Sequence, residues 1–245
     1  YHINFDTLNK TIKSFQDLHD QIDKIVVPAD VHKSYDLSRI KKALARLGNP
    51  QDSYKVVHVA GTSGKTSTSY YVSEILRRGG YKVGLSVSPH IEEVNERVQI
   101  NMKALGETEF CENLSEYLAL LDQEKIHLTY FELFVSFAFW YFAKAKVDIA
   151  VFEVGLGGLL DGTNVVNGAD KVCVITDIDL GNTSILGKTI DEITAQKAGI
   201  IKDENNVFCI DQSAKVIEIV RNVCQDKKAK LAIISPDETL ENLPY

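Results

Sequence analysis

The clearest chemistry in the chain lies in Gly61-Thr62-Ser63-Gly64-Lys65-Thr66, with Ser67 continuing it. The run shortens the G-x-x-x-x-G-K-[ST] phosphate loop, and Ala60 stands where the first glycine often is. Glycine lets a backbone curl around an anion, and a following helix N-terminus adds a favourable dipole. In that arrangement Lys65 reaches the β- and γ-phosphates, and the Thr66 hydroxyl faces a magnesium ion. A second run, Glu153 to Asn164, places a carboxylate just after an apolar stretch and then a series of glycines. Glu153 either takes a hard cation there or caps the following turn. A third, Ser88-Pro89-His90 with Asn95-Glu96-Arg97, is compatible with an ordinary turn as well as with a site.

These groups need a scaffold that brings them together. Val56 to Ala60 reads as a buried strand entering the loop, and Thr66 to Arg78 as the helix leaving it. A strand is predicted over Tyr81–Val87, and nearly continuous apolar runs mark two more over Val147–Phe152 and Val172–Thr176. Helices are predicted over Asp36–Leu47, Glu107–Gln123, Thr129–Lys144, Thr189–Ile201 and Ala214–Cys224. Strands at Val207–Ile210 and Leu231–Ile234 complete the series. Such alternation implies an α/β fold, a mostly parallel sheet with helices on both faces. Ligands then gather at the C-terminal ends of the strands, where Gly61, Ser88 and Glu153 all fall.

The 245-residue chain has a formal net charge of −7, which argues against a nucleic-acid partner. No apolar run approaches the ~20 residues that span a bilayer, so no membrane partner is expected. No secretory leader is visible, and a cytoplasmic location is expected. The four cysteines, Cys111, Cys173, Cys209 and Cys224, lack C-x-x-C spacing and read as buried, reduced thiols. Residue 1 is Tyr rather than Met, which suggests a trimmed or partial chain.

Taken in order, the motifs resemble the folylpolyglutamate synthase / dihydrofolate synthase family of the Mur ligase group. The matching stretches are Leu47 to Pro50, His58 to Lys65, Ser88 to His90, Asn95 to Arg97, Leu128 to Glu132, Glu153 to Asn164, and Gln196 to Lys202. The resemblance implies a P-loop NTPase-like Mur ligase central domain that binds ATP and Mg²⁺. It implies a reaction in which a pteroate or folate carboxylate is phosphorylated and then attacked by the amine of glutamate. By the same resemblance, Ser88 and Glu153 are magnesium ligands, and Lys197 is a carbamylated lysine acting with Lys65 and Glu153 in catalysis. Periodicity alone reads Lys197 as a solvated helical lysine. Substrate contacts are expected from His90, Tyr130, Phe131, Glu132, Asp161 and Asn164.

The chain departs from the family pattern at three places. Leu159 replaces the usual arginine after two glycines, and Thr66 replaces a frequent glycine, as in the Mur branch. Asn182 stands where the family has a magnesium-binding histidine, and no histidine follows His127; a carboxamide oxygen is a weaker ligand. Residues 1–235 are expected to form the ATP-binding domain and 236–245 to begin a linker to a C-terminal domain of the same polypeptide. Rival readings are a Mur-type ligase for another carboxylate and a nucleotide-binding module without ligase activity.

Overall fold

A computed structural model describes residues 11–27 and 36–235. The expected linker at 236–245 lies outside the described residues. Among these, eight strands form one sheet: β1 (Lys55–Ala60), β2 (Val83–Ser86), β3 (Gln99–Ile100), β4 (Lys103–Ala104), β5 (Ile149–Glu153), β6 (Val172–Ile175), β7 (Asn206–Ile210) and β8 (Lys230–Ile234). Their spatial order is β4-β3-β2-β5-β1-β6-β7-β8. Every pairing from β2 to β8 is parallel, and only the β2–β3 and β3–β4 pairs are antiparallel. The chain passes from β1 to β2 on one side and later to β6 on the other. The crevice where such a sheet reverses direction lies outside the C-terminal strand ends.

Among the described residues eight α-helices accompany the sheet: α1 (Phe15–Ile25), α2 (Ser38–Arg46), α3 (Lys65–Arg78), α4 (Glu107–Gln123), α5 (Tyr130–Lys144), α6 (Thr183–Leu186), α7 (Ile190–Ala198) and α8 (Ala214–Asp226). α3 packs against Val57, Val59, Leu85 and Val151 on one face. On the opposite face α4 and α5 bury an aromatic core, in which Phe152 stacks on Phe139 at 4.1 Å and meets Phe142 edge-on at 5.6 Å. α7 and α8 extend the cover of that face over β6–β8. Beyond α3 the first face stays open, with Phe208, Ile210 and Ile234 at 41, 42 and 50% exposure.

Local signals set the helix starts. The Thr129 hydroxyl accepts from the Glu132 N–H while the Glu132 carboxylate accepts from the Thr129 N–H, a reciprocal cap that begins α5. Thr189 and Glu192 repeat the device at α7. The sequence pattern did not reveal α1, α6 or the β3–β4 hairpin. All four cysteines are buried and free, and no described helix is long and apolar enough to cross a membrane.

Phe152 is wholly buried and central to the aromatic core. Phe152→Ala is expected to cost ~3–5 kcal/mol, read as a lower denaturation midpoint in urea.

Candidate functional site

β1 and β5 lie side by side with Val59 opposite Glu153, so the loop after Ala60 starts beside the carboxylate at the end of β5. Gly61 approaches its neighbour so closely that a Cβ there would lie 1.8 Å from Thr176 Oγ1. Thr176 in turn donates its hydroxyl to Ser63 O at 2.7 Å. The Thr62 N–H donates to Asp177 O at 2.7 Å, and the Thr62 hydroxyl both donates to Asp179 O and accepts from Asp179 N. The loop is therefore laced to the segment after β6, and its shape is fixed without a ligand. Gly64, at φ +79°, makes the left-handed turn into α3. The first N–H groups of α3 lack intrahelical partners and face an incoming anion.

Lys65 Nζ donates to Thr62 O at 3.2 Å, folded back over its own loop. Lys197 is the correction to the helical-periodicity reading. It is 4% exposed rather than solvated, and its Nζ donates to Gly61 O at 2.7 Å. Burial, and then repulsion from Lys65, bring its pKa down to about 8. An amphipathic count cannot see this, because α7 turns Lys197 towards β1 across 136 residues of sequence.

Glu153 is buried, and its Oε1 accepts from Thr66 Oγ1 at 2.7 Å. Its Oε2 accepts from the Ser88 N–H at 3.3 Å, which follows from the register of β2 with β5. Burial raises the Glu153 pKa, while the bonds from Thr66 and Ser88 and the nearby Lys65 oppose the rise. The Thr66 hydroxyl and the Glu153 carboxylate thus lie beside the phosphate loop, with Ser88 held against them through its N–H, and hydroxyl and carboxylate oxygens are donors that fit Mg²⁺. Asn182 is exposed, with left-handed backbone at the start of α6. The cluster forms without it, although Gly181 next door abuts the Thr62 methyl.

A cleft of about 660 Å³ opens from Ser88 and runs along Arg97, Tyr130, Phe131, Leu160 and Asp161. Phe131 lies against the turn at Gly155, where a Cβ would come within 2.5 Å of its ring. Glu132 also faces the cleft and is bridged by Arg39 at 3.1 Å. Asp161 is 5% exposed and accepts from Leu156 N and Thr163 N. Two expected substrate residues act from behind the wall. His90 Nδ1 accepts from Arg97 Nε at 2.9 Å, and burial and then Arg97 lower the His90 pKa. Asn164 is 2% exposed, and its amide donates to Leu159 O and Gly199 O, tying the glycine-rich turn to the end of α7.

Arg97 was visible in the Asn-Glu-Arg run, but its role was not. It is 8% exposed, its guanidinium sits 5.3 Å over the Tyr130 ring, and among the described residues no carboxylate lies within ion-pair distance. Burial lowers its pKa, yet a guanidinium stays charged. The cleft therefore carries a positive charge set in an apolar, aromatic wall.

Residues 59–242 match the Mur ligase middle domain. The chain belongs to the Mur ligase middle-domain family. It is 40% identical over 200 residues to dihydrofolate synthetase of Saccharomyces cerevisiae, covering 80% of this chain and 47% of that protein. The structure of apo L. casei FPGS superposes with a TM-score of 0.82 at 31% identity, covering 90% of this chain and 54% of that one. E. coli FolC in complex with DHPP and ADP gives 0.80 at 32% identity, covering 91% and 52%. The chain spans about half the length of the relatives it matches.

Removing the lysine at the loop tests the phosphate assignment. Lys65→Ala is expected to abolish binding of nucleoside triphosphate in calorimetric titration while the circular dichroism spectrum stays unchanged. Undiminished affinity would refute the loop's role.

Proposed function

We propose that this chain is the nucleotide- and acceptor-binding half of an ATP-dependent carboxylate–amine ligase. Its acceptor is dihydropteroate or a folate, whose carboxylate becomes an acyl phosphate that the amine of L-glutamate then attacks. The observation that carries this reading is a junction: the phosphate loop and the aromatic cleft meet at Ser88 and Glu153. The names of the relatives, and the DHPP and ADP held by E. coli FolC, support the substrate class.

Each residue has work suited to its position. Lys65 and the α3 N-terminus hold the triphosphate and offset its charge, which is most of what phosphoryl transfer asks of a protein. Thr66, Ser88 and Glu153 are the residues to hold Mg²⁺, which when bound neutralises phosphate oxygens. Tyr130 and Phe131 offer faces to a flat heterocycle, and Asp161 a carboxylate to its N–H edge. Arg97 offers a desolvated cation to the acceptor's anionic end, near Ser88.

Lys197 is read as the carbamate-bearing lysine. Its neutral amine adds to CO₂ and releases a proton, and the product places a negative charge beside Gly61. A Mur-type ligase for another carboxylate is favoured by Thr66 alone, whereas the aromatic lining of the cleft favours a planar acceptor.

Titration of the chain with ATP and Mg²⁺, and separately with dihydropteroate and a tetrahydrofolate, tests the assignment. Saturable binding of nucleotide and of one pterin is expected; nucleotide binding with neither pterin would sink the folate reading. A second measurement follows from the lysine. An amine with a pKa of about 8 is mostly protonated at neutral pH and frees its lone pair as pH rises. The ¹³CO₂-derived carbamate signal should therefore grow through pH 8 and vanish in Lys197→Arg. No signal at any pH would remove the carbamate from the mechanism.

A further inference from the structure

Three residues before the phosphate loop, His58 sits in the middle of β1 with no exposed surface. Its Nε2 lies 2.7 Å from Thr163 Oγ1, and that oxygen lies 2.5 Å from Asp161 Oδ1. The Nδ1 atom of His58 is buried with no hydrogen-bond partner among the described residues. Burial, and then Lys171 and Lys202, hold the His58 pKa well below its ordinary value, so the ring is neutral.

The hydrogen positions follow from the acceptors. Burial raises the Asp161 pKa, but Oδ1 takes the Thr163 N–H and Oδ2 the Leu156 N–H, and donors on both oxygens oppose the rise and favour the ionised carboxylate. The Thr163 hydroxyl must then donate to Asp161, and His58 must donate from Nε2 to Thr163. This leaves Nδ1 as a bare lone pair, in agreement with its having no hydrogen-bond partner among the described residues.

We propose that His58 and Thr163 are positioning residues: a one-way chain, His58 Nε2–H to Thr163 Oγ1–H to Asp161 Oδ1, holds an ionised carboxylate in one orientation at the cleft wall. This rests on the reading of the cleft as an acceptor site, in which Asp161 meets the N–H donors of the acceptor's heterocycle. The Thr163 hydroxyl and the Thr163, Leu156 and Gly155 N–H groups all face Asp161 and fix the carboxylate that lines the cleft. The chain that holds it starts on the strand that carries the phosphate loop.

The test compares dihydropteroate and ATP binding by the 245-residue chain and by Thr163→Val and Thr163→Ser. Thr163→Val, close in shape but without the hydroxyl, is expected to weaken dihydropteroate binding about tenfold and to leave ATP affinity intact, as loss of one hydrogen bond to a charged group predicts. Thr163→Ser restores the hydroxyl and should recover most of the affinity. Equal losses for both ligands in Thr163→Val, wild-type binding by that variant, or no recovery in Thr163→Ser would overturn the proposal. ¹⁵N resonances of His58 in the unaltered chain give a readout independent of any variant: the Nε2–H tautomer is expected, and the Nδ1–H tautomer would reverse the chain and overturn it. Pterin binding with any of these failures spares the acceptor-site reading, whereas binding of neither dihydropteroate nor a tetrahydrofolate by the wild type removes that reading and this proposal with it. A wild type that takes only the tetrahydrofolate is compared with the variants on that ligand.

Discussion

The site hangs on one buried carboxylate. Glu153 ends β5, takes the Thr66 hydroxyl from the start of α3 and takes the Ser88 N–H from the end of β2. Three segments that never meet in sequence are thereby held to a single group. Burying a carboxylate costs free energy unless donors or cations answer it. Two hydrogen bonds and a nearby lysine answer it in part, and the raised pKa marks what is left. A site built around an under-compensated anion is prepared for a cation, and the phosphate loop beside it for the anion that cation would bridge.

Burial acts on lysines in the same way, and a comparison shows why location decides meaning. Lys171 and Lys197 are both almost fully buried and both are brought down to about 8. Lys171 Nζ donates to Val166 O and Ile200 O, bracing two loops from the N-terminal end of β6, the opposite end of the strands from the phosphate loop. Lys197 braces Gly61, the first residue of that loop. The depressed pKa is a consequence of desolvation in each; only the second places the resulting amine where phosphate chemistry is proposed.

What could be read from the sequence follows the range of the interactions involved. The phosphate loop is a local device, with its glycines, lysine and helix start inside a few residues, and it was legible. So were the central strands, because a parallel strand buried on both faces is apolar almost throughout. Glu153 stood out as a carboxylate at the end of an apolar strand, and Asp161 within the glycine-rich run that follows it. The partners of these residues did not. His58 reads as one more position in an apolar strand, and Thr163 as a turn residue, until the fold brings these residues, 105 positions apart, to 2.7 Å. Arg97 drew notice only as part of a motif, since its pairing with His90 and Tyr130 depends on how a 3-10 turn and α5 pack. The two-residue strands β3 and β4 have no period to detect.

Departures from the family pattern can be weighed in the same terms. Leu159 replaces an arginine, yet its N–H donates to Gln196 O at 2.7 Å and its side chain fills the space against Gly199. The main chain that binds the glycine-rich turn to α7 is thus independent of the side chain lost. Asn182 begins a four-residue helix in the open, while Thr66, Ser88 and Glu153 converge without its help. A change at Asn182 therefore falls beside the segment that laces the phosphate loop, and the cluster keeps its geometry. The buried carboxylate at the centre of the cluster is held by the same two hydrogen bonds whatever stands at position 182.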